Sequence, residues 1–598
     1  MSSPATKLSF KEKVSYGFGD LASVLYWQTF MLYFTYFYTD VFIIPAAVAA
    51  TMFLVTRLFD GINDPVMGMI ADRTNTRWGK FRPYLLWLCV PFAISGVLVF
   101  TTPDLGYTGK LIWAYATFIF VMVMYTAINI PYTALMGVIS PNSEDRTTVS
   151  SFKFIFAFAA GIIISATLLP STKWLGKDDD SIVSAQLQND TIVVQEGKTG
   201  ASTFIITAFD EEGHQRRHEL RFTTAHAEKN IIEPVNPVPD ITLNQGFGSY
   251  SVALDGVFSG SAHDDFSFRA SSSDAGLVQT SIENDVLVLS EGSANGSGTA
   301  FIRLYAVDDR WGEQALEFAV DVMEPGNQAP VLTDSTDVRF LDSGFLVKTV
   351  DLQELFEDPD GDTLEFLAFS SNMELLEPII TNSMMEIAEL GDGIAEISVI
   401  AMDGRGGRAE HTIRYIVRDP AGGNAPMVTR PDAGFEIAAG FGTYTIPLSD
   451  YFMDVDGQRI TFDMYVVNEA KGWSRFFMIV GVFAVLFFLI AFLGTKERVQ
   501  PPKTQKTSVR NDIKELVTNA PWLILLAVTI TFILFVAVRS SVTVHYFKYI
   551  IGHQAITLPF FGEGTYDFTA LASAYNTIGQ ISSLLGVIVV LWISKILG

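Results

Sequence analysis

Cysteine is almost missing from this chain. Cys89 is the one thiol in 598 residues, so no disulfide can form within it, and a soluble part must be held by core burial or a metal. Charge is scarce as well, at 18% of residues, and it is unevenly placed. Between residues 171 and 470 stand 51 acidic and 18 basic side chains. The rest is therefore net basic by eight, although the whole chain carries −25. The acidity belongs to one middle block, and nothing in the pattern supports nucleic-acid binding. The opening residues, MSSPATKLSFKEKVSYGFGD, lack a short apolar stretch ending in a small-residue cleavage site. The first apolar segment is expected to be a retained helix.

What the two ends do have is long apolar runs. Windows of about 20 residues fall near 15–39, 46–71, 83–102, 111–139, 152–170, 473–494, 521–544 and 569–594. Each is long enough for a hydrocarbon core of roughly 30 Å. Basic residues cluster at Lys7, Lys11 and Lys13, at Arg73, Arg77, Lys80 and Arg82, at Arg146 and Lys153, and from Lys496 to Lys514. The alternate loops are poor in them. The positive-inside rule then puts the N-terminus in the cytoplasm and the acidic block, between spans five and six, outside it. The expected location is the cell's inner (plasma) membrane. Membrane helices 1–5 occupy 1–170, the insertion 171–470, and helices 6–8 occupy 471–598.

The insertion alternates β-type runs such as TAFIRLYAVDD and AEISVIAMDG with Gly, Asp and Asn turns, which predicts β-sandwiches. It also repeats. Residues 241–330 end in AVDDRWG…NQAP and 331–426 end in AMDGRGG…GNAP, while LFEDPDGDTLEF is echoed by YFMDVDGQRITF. These units resemble cadherin-like and immunoglobulin-like repeats of bacterial surface proteins. Residues 181–224 look like the second half of a repeat and 431–468 like the first half. They are expected to pair into one composite domain, holding together the points where spans five and six leave the membrane. Asp358, Asp360, Asp362 and Asp403, with Asp454, Asp456, Asp308 and Asp309, sit in oxygen-rich loops of the kind that take Ca²⁺. Such sequences also make ordinary Asx and glycine turns.

The most informative stretch is RLFDGINDPVMGMIADRTNTRWGKFR, from Arg57 to Arg82. It carries Arg57, Asp60, Asn63 and Asp64 inside an apolar run, where each charge costs roughly 3 kcal/mol. Asp60 and Asp64 are four apart, so a helix presents both from one face. Like charges there repel unless a cation or proton lies between them. A buried Arg57–Asp60 pair without a transport role is the plainer alternative.

KVSYGFGD, YTDVF, RLFDGINDPVMG, DRTNTRWGKFRPY, INIPYTAL, ISPNSEDRT and YFKYIIG together resemble the glycoside–pentoside–hexuronide cation symporters, the melibiose-permease branch of the major facilitator superfamily. The resemblance implies an α-helical polytopic bundle, here interrupted by an all-β insertion. It implies Na⁺- or H⁺-coupled uptake of a sugar by alternating access, with no reaction catalysed. Asp60, Asp64 and Asn63 then bind the coupling cation. The family's acids on helices I and IV, which bind the sugar and help to hold the cation, correspond to Val24 and Asn129, with Asp20 one turn before Val24 as a substitute; the Asn129 amide can ligate either the sugar or the cation. Lys153 either neutralises the aspartate cluster or meets lipid phosphate at the interface. Trp27 is a candidate to stack on the sugar, and Tyr26, Tyr33 and Tyr36 share that chemistry. Asp72, Arg73, Arg77, Lys80 and Arg82 match the superfamily's loop motif and imply a conformational latch.

Two other readings stay open. One is an anchored adhesin whose repeats bind a glycan or protein; the other is a sensor that keeps a transporter's ligand site. The superfamily bundle has twelve spans and about eight are expected here, so the sequence is read as a fragment, a truncated transporter, or one completed by a partner.

Overall fold

The structure is a computed structural model that describes residues 7–225, 231–261, 263–293, 296–308, 312–373, 375–430, 434–499, 518–521, 523, 524, 528, 539, 542–551, 554–558, 562–566 and 568–597. Side chains are described at these positions except 57, 58, 60–62, 107, 312, 313, 549, 550, 554–558, 562–566 and 587–597. The chain divides into two compact units, Met1–Asp179 with Val467–Gly598, and Asp180–Val466.

The first unit is helical. Helix α1 (Phe10–Tyr36) starts at a capping box, in which Ser9 accepts from the Glu12 amide and the Glu12 side chain reaches back to Ser9. It runs on into a π turn, Phe37–Val41. Helix α2 (Ala46–Arg73) carries Pro65 inside it. The third expected span is two pieces, α3 (Arg82–Trp87) and α4 (Cys89–Val99). Pro91, with no amide hydrogen and a ring that crowds the preceding turn, accounts for the break before it. Helix α5 is Tyr107–Ile139 and α6 is Ser143–Gly176, which begins with Asn142 capping Glu144. Helix α7 is Glu469–Gly494 and α8 is Phe568–Leu597. The expected seventh span, 521–544, lies mostly outside the described residues.

Among the described residues, Thr108–Ile139, Ser143–Gly176 and Glu469–Gly494 are each long and apolar enough to cross a membrane. Helix α1 packs on α6 and α7, α2 on α5, α4 on α5 and α7, and α8 on α6. The core is aromatic: Phe100 stacks on Phe477 at 3.8 Å, Trp473 packs on Phe37 and Phe100, and Tyr26 lies against Phe92. Rings of this size fill wide gaps between helices with few side chains, and offset or edge-on contacts suit their quadrupoles.

The second unit is all β and consists of three sandwiches, each a three-stranded sheet facing a four-stranded one over its own core. In the repeat of residues 241–330, strand Gly298–Asp308 pairs antiparallel with Gly312–Met323, and Ile241–Asn244 joins the latter in parallel. In the repeat of 331–426, Gly393–Met402 pairs with Arg408–Arg418, and Val338–Asp342 joins in parallel. Buried and exposed residues alternate along Arg408–Arg418 up to the closing Tyr415–Val417, as a strand with one dry face requires.

The third sandwich takes its strands from both ends of the insertion. Gly200–Phe209 pairs with Gln215–Ala225, which Gly434–Ala438 joins in parallel. Thr191–Glu196 pairs antiparallel with Thr443–Pro447. Residues 182–222 and 446–466 share one core. All three sandwiches contain a two-residue hairpin with an Asn at positive φ, at Asn189, Asn284 and Asn382. Asn tolerates positive φ at the first central position, and at Asn284–Asp285 both central residues adopt it, as a type I′ turn demands.

Candidate functional site

Helix α2 brings Asp60, Asn63 and Asp64 within its last half, beside α5. The backbone of Asp60 stands one turn before Asp64; the side chains of Asp60 and Arg57 lie outside the described residues. Asp64 is half-buried, and its Oδ1 accepts a 2.9 Å hydrogen bond from Thr126 Oγ1 of α5, a buried hydroxyl. Asn63 Nδ2 is buried with no hydrogen-bond partner among the described residues. A buried amide end left unpaired costs about 1–3 kcal/mol. Its chemistry suits a donor to a hydroxyl or, turned over, a carbonyl ligand to a cation. Asn129 is half-buried on α5 one turn beyond Thr126.

A second polar cluster joins α1, α5 and α6. Asp20 is 5% exposed, and its Oδ1 is 3.7 Å from Lys153 Nζ. Lys153 is thus paired with an acid of α1. Its ammonium also stands 5.9 Å from the Tyr132 ring centre. Tyr132 stacks on Tyr16, and the two hydroxyls donate to each other's backbone carbonyls, at 2.7 and 3.1 Å. Gly19 makes this approach feasible, because a Cβ there would lie 2.5 Å from the Tyr132 ring. The YGFGD motif thus positions Asp20. Val24 is half-buried against the helical core, and Trp27 stacks on Tyr125 at 5.3 Å.

The basic turn after α2 meets an acid that the sequence did not single out. Glu497, three residues past α7, accepts from the backbone amides of Lys80 (2.8 Å), Phe81 (2.7 Å) and Arg82 (3.0 Å). Gly79 has φ +110, and a Cβ there would overlap the Glu497 carboxyl group. Lys80 Nζ donates to the Asp72 carbonyl, Arg77 lies over Trp78, and Arg82 reaches the Phe492 carbonyl. Asp72 and Arg73 are exposed. Nearby, Arg498 pairs with Glu12 at 2.6 Å, and Asp145 pairs with Lys13 while accepting from Leu8 N and Ser140 Oγ.

In the second unit the carboxylates of Asp358, Asp360 and Asp362 lie within 4.8 Å of one another. Asp358 Oδ1 caps its own turn at Asp360 N and Asp362 N. Asp360 holds the incoming linker at Gln328 N, and Asp362 pairs with Arg405. Asp403 accepts from Arg405 N, Gly407 N and Asn327 Nδ2. The composite sandwich repeats this frame: Asp454 caps Asp456 and Gln458, and Asp456 holds Asn424. Asp308 faces His263; Asp309 lies outside the described residues. Hydrogen bonds to Gln328 hold the Asp360 carboxyl below its usual range, and those to Asn424 do the same for Asp456.

This chain is similar to known transporters. It is 46% identical over 172 residues to the inner membrane symporter YicJ of Escherichia coli (strain K12), covering 29% of this chain and 37% of that one. It is 44% identical over 177 residues to the putative glycoside/cation symporter YagG of the same organism, covering 30% and 38%. With the isoprimeverose transporter of Lactiplantibacillus pentosus it shares 39% over 184 residues, covering 29% and 38%. The chain thus spans less than two-fifths of the length of these relatives. The profile of one family, described as MFS/sugar transport protein, matches residues 15–208 and 450–598 on either side of most of the β insertion. The chain belongs to that family, the transporters of the major facilitator superfamily that carry sugars.

Proposed function

We propose that the protein couples entry of a cation, Na⁺ or H⁺, to uptake of a glycoside by alternating access. The observation that carries this is Asp64 on α2, a carboxylate that accepts from the buried Thr126 hydroxyl beside an Asn63 amide whose nitrogen has no hydrogen-bond partner among the described residues. Carboxylate, hydroxyl and amide oxygens suit a hard cation, and protonation neutralises the same acid if the ion is H⁺. In this reading Asp60 completes the cation site, while Asp20, Lys153, Trp27 and Asn129 line the sugar's path. The loop from Asp72 to Arg82 is the latch. The N-terminus is cytoplasmic and the insertion extracytoplasmic. The names of the relatives, glycoside/cation symporter and isoprimeverose transporter, support this substrate class. The test is uptake of labelled isoprimeverose and other glycosides into vesicles at varied Na⁺ and pH, with and without Asp64→Asn. Uptake that ignored the substitution would sink the mechanism.

A structural Ca²⁺ in the insertion is a second proposal. Asp358 is 8% exposed, and its Oδ2 is buried without a partner among the described residues, as is Asn327 Oδ1. The Asp358 oxygen, beside Asp360 and Asp362, and the Asn327 oxygen, on an amide bonded to Asp403, are of the kind that suit a hard cation. Calcium titration of the full chain, followed by the β unit's unfolding midpoint, tests it. No shift at millimolar Ca²⁺ would exclude the site.

A further inference from the structure

At the end of α1 nearest the insertion's roots, side chains from three distant parts of the first unit meet. Asp40, in the π turn that ends α1, is 4% exposed. Its Oδ1 forms an ion pair with Lys548 Nζ, and its Oδ2 is 3.2 Å from His545 Nε2. Thr39 Oγ1 donates to Asp40 Oδ2 at 2.7 Å and lies 3.1 Å from the same histidine nitrogen. One turn inward, Tyr36 donates to Glu469 Oε2 at the start of α7, and Lys548 lies 5.5 Å above the Tyr36 ring. Phe568, the first residue of α8, packs on the same ring. A further turn inward Tyr33 faces Ser573 and Asn576 of α8.

The contacts of Asp40, Lys548, His545 and Phe568 join α1 to segments that follow α7 in the chain, and Tyr36 ties that cluster to the first residue of α7. The Glu497, Asp145 and Arg498 contacts join elements that precede residue 500, and α8 packs besides on α6. We infer that Asp40, Lys548 and His545 form a gate that closes the insertion-side entrance between α1 and the helices after α7. This rests on the alternating-access reading above. A buried, nearly dry ion pair with an imidazole beside it is a two-position element: intact it excludes water, and once one partner withdraws the other must be solvated. Opening is therefore coupled to hydration of Asp40 and Lys548, and the aromatic layer of Tyr36 and Phe568 beneath them opens with it.

The test does not require the sugar to be known. In the full chain carrying Cys89→Ser, a reporter thiol is placed by Ser573→Cys, a conservative change at a residue 5% exposed below the gate. A membrane-impermeant maleimide is then added on the insertion side of reconstituted vesicles. Labelling is expected to be slow, to rise at least fivefold with Asp40→Asn or with Lys548→Gln, and to fall back with the exchange Asp40→Lys/Lys548→Asp. Unchanged labelling in both single variants overturns the gate, and so does an exchange variant that labels as fast as they do. Unfolding midpoints identify a variant that is merely misfolded, and the other single variant then carries the comparison. Because accessibility is read directly, a failed gate and a failed symport mechanism give different results.

Discussion

Thr126 on α5 donates its hydroxyl to Asp64 on α2, so the carboxylate we propose as a cation ligand is oriented by a neighbouring helix. A hydrogen bond to a charged acceptor contributes about 1.5–3 kcal/mol. Thr126→Val keeps the shape and removes the donor. It is expected to raise the cation concentration for half-maximal uptake roughly tenfold while leaving the amount of folded protein unchanged. Thr126→Ser should restore the wild-type value. Measuring uptake against cation concentration for the three proteins decides it; a Val variant with unaltered cation dependence removes Thr126 from the site.

Glu497 and Gly79 form a second dependent pair. The carboxylate can reach three backbone amides because position 79 has no side chain. Glu497→Ala is expected to cost about 2 kcal/mol of stability, and Gly79→Ala a similar amount because it displaces the same carboxylate. The double variant should be no worse than the poorer single one, since both remove one interaction. Additive losses in thermal unfolding would show that the two act separately.

The insertion should be sensitive to acid. Hydrogen bonds to Gln328 depress the carboxyl of Asp360 and those to Asn424 depress that of Asp456. A depressed carboxyl contributes its stability in full above the unfolded value of about 3.9 and loses it as pH falls through the folded value. The β unit's unfolding midpoint is expected to hold from pH 7 to about 5, then drop. With Asp360→Asn and Asp456→Asn combined, the drop below pH 4 should be shallower. An unchanged acid limb would place the sensitivity elsewhere.

The helical class and the β insertion were legible because their signals are local. Long apolar runs read as membrane helices, and alternation with Asn and Gly turns read as strands. The acids of α2 were legible because charge stands out in an apolar run. Thr126 was not, since a hydroxyl in an apolar helix usually bonds its own backbone, as Thr117 does to Trp113. Glu497 and Lys548 were obscured for another reason. Each lies more than 400 residues from its partner, across the insertion, and a surface charge in sequence gives no hint of which turn it will meet. Asp20 was noticed only as a neighbour of Val24; its pairing with Lys153 depends on how α1 and α6 are rotated, which periodicity leaves open.

That pairing can be separated into structural and transport roles. Asp20 is nearly dry and Lys153 about a fifth exposed. Removing the lysine leaves a buried carboxylate uncompensated, at a cost on the order of 3 kcal/mol. Lys153→Met alone is expected to lower both the unfolding midpoint and uptake. Asp20→Leu with Lys153→Met removes both charges, and replacing a buried pair by apolar side chains is often neutral for stability. The midpoint should therefore return towards wild type. If Asp20 and Lys153 contact the sugar, uptake stays lost although the fold is restored, because an apolar pair offers the hydroxyls no partner. Recovery of uptake together with stability would assign the pair to helix packing alone and leave sugar recognition to Asn63 and Asn129.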